Sequence, residues 1–177
     1  TVSNCVFINN KAPAFDSILP DTSIDENEKL EFNYEGSDPD EDTLSFALID
    51  SVEGMTVSSD GLLEWTPDYN QEGEYQIVVS MTDSIATLYD TTEITVNSVN
   101  RKPEFLSTLS DTIVNEKETI EFTYTADDPD GDDIIFSLVN EIYGLSITED
   151  GLLSWTPNIV QEGEHTVIVS ASDGTDA

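Results

Sequence analysis

Apolar and polar residues alternate with a period of two along most of this chain, and helical spacing is absent. Leu30, Phe32 and Tyr34 fall on one face, with Glu31, Asn33 and Glu35 on the other. Ile120, Phe122 and Tyr124 repeat the pattern against Glu121, Thr123 and Thr125, and Tyr75, Ile77, Val79 and Met81 alternate with Gln76, Val78 and Ser80. Successive side chains of a β-strand point to opposite sides of the sheet, so each run reads as a strand that buries one face. Turn formers interrupt the runs at Asp38-Pro39-Asp40, Gly54, Asp60-Gly61, Pro67 and Gly73. The pattern predicts strands near residues 20–25, 29–36, 43–50, 54–58, 61–66, 73–82 and 86–97. Asp60-Gly61 and Asp150-Gly151 read as tight hairpin turns feeding the two Leu-Leu-x-Trp strands.

Displaced by 90 residues, the chain aligns with itself without a gap. Asp38-Pro39-Asp40 falls on Asp128-Pro129-Asp130, Trp65-Thr66-Pro67 on Trp155-Thr156-Pro157, and Gln71-Glu72-Gly73-Glu74 on Gln161-Glu162-Gly163-Glu164. A period this long is a duplicated domain and not a solenoid unit. The expected division is residues 10–99 for repeat one and 100–177 for repeat two, each long enough for one compact core. Seven short strands per repeat predict an all-β chain of two tandem immunoglobulin-like Greek-key β-sandwich domains.

The ends are out of phase with the repeat. Residues 1–9 align with 91–99, the last strand and linker of repeat one, while Ala177 stands opposite Thr87. Repeat two is therefore expected to lack its last strand, and an open sandwich edge exposes unpaired backbone. Residues 1–9 read either as the terminal strand and linker of a preceding repeat in a longer array or as a donor strand completing a neighbouring molecule.

Charge narrows the partners. There are 38 acidic residues against 5 basic ones, a formal net charge of -33, spread over both repeats. Such a surface repels phosphate backbones and anionic lipid, which excludes nucleic acid as a partner. No apolar run reaches the roughly 18 residues of a spanning helix, so membrane insertion is not expected. Cys5 is the only cysteine, so no intrachain disulfide staples either domain.

The strongest chemical signal is an acidic turn in each repeat, Asp38-Pro39-Asp40-Glu41-Asp42 and Asp128-Pro129-Asp130-Gly131-Asp132. Carboxylates at alternate positions of a tight turn converge, and hard oxygen ligands select calcium or magnesium. The competing reading is an ordinary polar turn between strands. Trp65 and Trp155 stand in register with Leu63 and Leu153, so they read as core and not as a sugar-stacking platform. His165, the only histidine, replaces Tyr75 at a strand start and reads as structural. No nucleophile has a nearby base, and no phosphate loop or metal-hydrolase spacing occurs, so catalysis is not expected.

The segment Thr125-Ala126-Asp127-Asp128-Pro129-Asp130-Gly131-Asp132-Asp133-Ile134-Ile135-Phe136 resembles the A-x-D-x-D-G-x-x-I-x-Y segment of cadherin repeats. Ser23-Ile24-Asp25-Glu26-Asn27 resembles their V-x-E-N segment, with Val114-Asn115-Glu116 as a weaker copy. Gly61-Leu62-Leu63-Glu64-Trp65-Thr66-Pro67 and the run from Gly73 to Val79 resemble dystroglycan-type cadherin-like and Ig-like repeats of bacterial surface proteins.

The resemblance spans residues 10–177 and implies a calcium-binding sandwich strung in tandem outside the cell. By position it implies that Glu26 with Asp128 and Asp130 serve one junction, Asp38 and Asp40 a preceding one, and Glu116 a following one. Asp42 and Asp132 complete the acidic turns. The linker departs from the family pattern, with Ser98 and Ile8 at the expected Asp positions, and residues 68–72 depart from the L-D-R-E motif.

The sequence thus leads to a non-catalytic structural or adhesive module, a calcium-stabilised spacer or stalk of a cell-surface or secreted repeat protein. Its expected partners are neighbouring repeats or like subunits, with a cell-surface protein or glycan as adhesive target. Two alternatives stay open: a carbohydrate-binding accessory module of a secreted polysaccharide-active enzyme, and an extracellular filament subunit assembling by strand donation.

Overall fold

The structure is a computed structural model in which residues 9–50 and 52–176 are described. The expectation of a terminal or donor strand at residues 1–9 falls, except for Asn9, outside the described residues. The chain forms two compact units that divide between Val99 and Asn100.

Unit one consists of β1 (Ala14–Ser17), β2 (Thr22–Asp25), β3 (Leu30–Asn33), β4 (Glu35–Ser37), β5 (Ser45–Leu48), β6 (Thr56–Val57), β7 (Leu62–Trp65), β8 (Gly73–Thr82) and β9 (Thr87–Asn97). One sheet has the order β2-β9-β8-β5 and the other β3-β7-β6, with β1 paired to β4. β2 runs parallel to β9, while β8 and β9 pair antiparallel from Gly73–Val96 to Thr82–Thr87. The alternation delivers one face of each sheet to a shared core: Leu30 and Tyr34, Leu63 and Trp65, Ile77, Val79 and Met81, Ile94 and Val96. This is the sheet-on-sheet packing expected of an all-β sandwich.

Two details differ from the sequence reading. The strand expected over 29–36 is divided at Tyr34, whose backbone N–H is taken by Gly61 O at 2.9 Å, so β3 pairs with β7 and β4 with β1. β1 itself carries too short an alternation to be seen alone, and it exists because β4 offers an edge. Gly61 is fixed by the same contact: its φ is +98°, and a Cβ there would collide with the Tyr34 carbonyl oxygen.

The recurring Trp-Thr-Pro and Gln-Glu-Gly segments have a shared cause. Trp65 Nε1 and Gln71 Nε2 both donate to Glu53 O, each at 3.1 Å, and Gln71 Oε1 accepts from Asp68 N at 2.9 Å. In unit two Trp155 Nε1 and Gln161 Nε2 donate to Tyr143 O at 3.2 and 2.9 Å, and Gln161 Oε1 accepts from Asn158 N at 3.0 Å. An indole buried in a core needs its N–H paired, and the glutamine completes the same carbonyl. Tyr75 stacks edge-on against Trp65, and His165 takes that place against Trp155 with ring centroids 5.2 Å apart. His165 Nε2 also lies 2.8 Å from Gln161 O, and the residue stands outside any strand and not at the strand start that the pattern predicted.

Unit two contains β10 (Glu104–Phe105), β11 (Ile120–Thr123), β12 (Ala126–Asp127), β13 (Ile135–Leu138), β14 (Leu145–Ile147), β15 (Leu152–Trp155), a 3-10 turn (Ile159–Gln161) and β16 (Val169–Ser172). Its sheets are β11-β15-β14, β13-β16 and β10-β12. Among the described residues no strand forms at the counterpart of β2, and β16 covers only the last part of the counterpart of β8. Both elements pair with β9 in unit one. A groove of about 1040 Å³ lined by Val114, Ile120, Leu153, Trp155 and Val167 lies on this flank. In unit one the same flank is filled by Ile94 and Val96, 0% and 2% exposed.

Replacing Trp65 by Ala is expected to destabilise the fold by about 3–5 kcal/mol, the usual cost of emptying a core aromatic site. Trp65→Phe should cost less, with a contribution of about 1 kcal/mol from the lost indole hydrogen bond. Urea unfolding followed by circular dichroism measures both.

Candidate cation site at the acidic turns

Each acidic turn is held by its first aspartate. Asp38 Oδ1 accepts the backbone N–H of Asp40 at 2.7 Å and of Asp42 at 3.2 Å, while Asp38 O accepts from Glu41 N at 3.1 Å. Asp128 repeats this with Asp130 N at 2.8 Å, Asp132 N at 3.4 Å and Gly131 N at 3.1 Å. A short acidic side chain folding onto the amides two residues on is the usual way a polar turn satisfies its donors. The fourth residue of the turn must adopt the left-handed region: φ is +62° at Glu41 and +81° at Gly131. Glycine does this without strain and glutamate does not.

A second loop meets the turn from the far side of the sequence. Asp83 Oδ1 caps Ile85 N at 2.7 Å and Ala86 N at 2.6 Å, and its Oδ2 accepts from Asn10 Nδ2 at 2.9 Å. Asp173 does the same with Thr175 N and Asp176 N, both at 2.6 Å, and with Asn100 Nδ2 at 3.0 Å. The residue after each asparagine returns to the acidic turn. Lys11 N donates to Asp40 Oδ2 at 2.7 Å, and Arg101 N to Asp130 Oδ2 at 2.6 Å. One corner of each unit thus gathers the chain entry, the acidic turn and the loop after β8 or β16. Asp83 and Asp173 were not among the residues singled out from sequence, although the 90-residue shift matches them; nothing local marks either as more than a turn aspartate.

The corner is short of donors. Asn10 Oδ1, Asp38 Oδ2 and Asp128 Oδ2 are buried without a hydrogen-bond partner. Asp128 as a residue is only 7% exposed. A buried carboxylate oxygen with no donor is costly unless something positive faces it. The donor set is all oxygen, which fits calcium or magnesium and not a softer metal. As the side chains stand, no three of these carboxylates among the described residues close on one centre.

The remaining expected ligands lie elsewhere. Glu26 is buried at the other end of β9, where its Oε2 accepts Val99 N at 2.9 Å and its own N–H bonds Asn97 O at 3.1 Å. This is the Val99 end of unit one, to which the resemblance assigned Glu26, and the Asp38 corner lies at the opposite end of that strand, roughly 30 Å away. Glu116 is exposed and stands 3.5 Å from Lys117 Nζ. Asp42 and Asp132 are exposed, and their contacts to the turns are made by their backbone N–H groups.

The ionisation of the corner follows its contacts. The N–H and ammonium of Lys11 hold Asp40 below the usual carboxylate value, and the Arg101 guanidinium does so for Asp130. The N–H of Ala86 and the Asn10 amide lower Asp83, and the N–H of Asp176 and the Asn100 amide lower Asp173.

The bacterial Ig domain family matches residues 10–97 and again residues 100–177. No curated protein matches the sequence. Among solved structures, Drosophila N-cadherin EC1-4 is similar with a TM-score of 0.58 at 16% identity, over 92% of this chain and 45% of that one. The chain therefore spans less than half of that fragment. Human protocadherin-24 EC1-2 is similar with a TM-score of 0.57 at 17% identity, over 93% of this chain and 88% of that one. At these identities the likeness shows the fold.

Glu41→Gly should stabilise unit one by about 1 kcal/mol by relieving the left-handed strain, and Gly131→Glu should cost unit two a similar amount. Thermal melts test the pair. Carboxyl NMR titration should place Asp40, Asp83, Asp130 and Asp173 below the ordinary value of about 3.9. Because the folded values are depressed, their stabilising contribution is complete above about pH 4 and is lost as pH falls through the folded values.

Proposed function

Since the chain belongs to the bacterial Ig domain family as two consecutive copies, we propose that it is a non-catalytic spacer or stalk segment of an extracellular repeat protein, stabilised by calcium. The observation that carries the calcium reading is the recurrence, in both copies, of a buried carboxylate oxygen without a donor in an all-oxygen corner. Asp38 Oδ2 and Asn10 Oδ1 would hold the ion in repeat one together with Asp40 and Asp83. Asp128 Oδ2, Asp130, Asp173 and Asn100 would do so in repeat two. With Cys5 its only cysteine, this chain has no intrachain disulfide to staple it, and its net charge of -33 opposes compaction. An ion that neutralises the corner ties the chain entry to two loops at once, which is what a linear array under tension needs. Extracellular calcium modules work with dissociation constants of about 0.1–1 mM, so the partner is available outside the cell.

The two alternatives have less support. A glycan-binding face needs a row of exposed aromatics, and both tryptophans are buried while Tyr69, Tyr89 and Tyr143 lie on a loop, a strand and another loop. Strand donation has the groove of unit two in its favour. Residues 1–9 are a poor donor by position, because Asn4 would take the place of Ile94, which is fully buried, and would leave its amide unpaired.

Millimolar calcium is expected to raise the melting temperature relative to EDTA, since an ion present at one to ten times its dissociation constant adds about 0.4–1.4 kcal/mol. Asp38→Asn combined with Asp128→Asn keeps a turn acceptor but removes the anionic oxygen, and should abolish the shift. A melting temperature that is equal in calcium and EDTA removes the calcium part of the reading and leaves the spacer.

A further inference from the structure

Only five basic residues occur in the chain, and they stand at positions 11, 29, 101, 102 and 117. When the repeats are aligned, Lys29 falls on Thr119, Lys102 on Ala12 and Lys117 on Asn27. Lys11 and Arg101 are the one pair of bases that coincide. That shared position is also where the chain enters each sandwich against the acidic turn. Everywhere else the repeats have drifted in their placement of positive charge, so this site demands it.

The two bases meet the turn differently. Arg101 closes a tight set of bonds: Nε to Asp130 Oδ1 at 2.8 Å, Nη2 to the same oxygen at 2.6 Å, and Nη2 to Pro129 O at 2.6 Å. Its backbone N–H donates to Asp130 Oδ2, as that of Lys11 does to Asp40 Oδ2, so the difference lies in the side chains. Lys11 reaches Asp40 Oδ1 with a single ammonium contact at 3.2 Å, and its side chain is 57% exposed against 29% for Arg101. A planar guanidinium with several fixed donors is harder to displace than one hydrated ammonium on a flexible stem.

We propose that the base at this position is a tethered counter-cation for the acidic turn, which competes with a dissolved cation for the second aspartate. Arg101 makes the turn of repeat two largely self-neutralised, so its entry stays tied to Asp130 without an ion. Lys11 swings out readily and leaves Asp40 to an incoming ion, so repeat one is the calcium-responsive member of the pair. The two repeats share a corner and close it in different ways, one with its own side chain and the other with an ion from solution. The competition, though not the tether itself, rests on the calcium reading above.

The test uses the full chain. In EDTA at low salt, Arg101→Gln should lower the melting temperature of repeat two by several degrees, and added salt should shrink the loss because it screens the pair. Calcium titration by calorimetry, in an Asp38→Asn background so that repeat two is read alone, should show binding strengthened about three- to tenfold by Arg101→Gln. Lys11→Arg, in an Asp128→Asn background, should weaken binding at repeat one by a similar factor, and it reports even if the glutamine variant folds poorly. An unchanged melting temperature in EDTA would overturn the tether. Calcium affinities unmoved by both substitutions would overturn the competition. If no variant binds calcium, the calcium reading falls, while the salt-sensitive loss in EDTA upholds the tether.

Discussion

An aspartate carboxylate folded onto backbone N–H groups organises each corner. Asp38 and Asp128 shape the acidic turns this way, and Asp83 and Asp173 shape the loops that meet them. A charged acceptor on two or three amides is worth more than a neutral turn bond, and it persists in water. The same choice concentrates negative charge where three chain segments converge. Everything else at the corner answers that charge: the asparagine amide on the loop aspartate, the backbone N–H and side chain of Lys11 or Arg101 on the turn, and the oxygens left facing no donor.

Charge and fold are coupled unevenly in the two halves. The cores are built from the same alternation, and the Leu63, Trp65 and Tyr75 group of unit one has its equivalent in Leu153, Trp155 and His165. Unit one is closed along its flank by β9, which pairs with β2 and β8 and contributes Ile94 and Val96. Unit two has a groove on the flank that β9 fills in unit one, and Ile113 beside it is 96% exposed. The recurring corner is complete in both units despite this difference, because its segments come from the opposite end of the sandwich.

The fold was legible where side-chain period alone decides structure. The alternation in Leu30, Phe32 and Tyr34 and in Tyr75 to Met81 places those residues correctly inside, and the tryptophans are core as their register requires. The strand over 29–36 was only half right, because Gly61 takes the N–H of Tyr34 across 27 residues of sequence. Of the site, the two acidic turns were visible as a local motif. Glu26, which the resemblance assigns to the junction after repeat one, stands at that end of its sandwich, where it accepts Val99 N.

Strand faces, the two copies and the acidity of each turn could all be read along the chain, because neighbouring residues or a direct comparison of the repeats carry them. Folding was needed to join Asp83 to the Asp38 turn through Asn10, and Asp173 to the Asp128 turn through Asn100. Folding was needed too before Lys11 and Arg101 became the charges that answer those turns. Those contacts span 29 and 73 residues, and hydrogen bonds across such separations leave no periodic trace. The sandwich brings the segments to one end, and only then does the balance of carboxylate, amide and cation come into being.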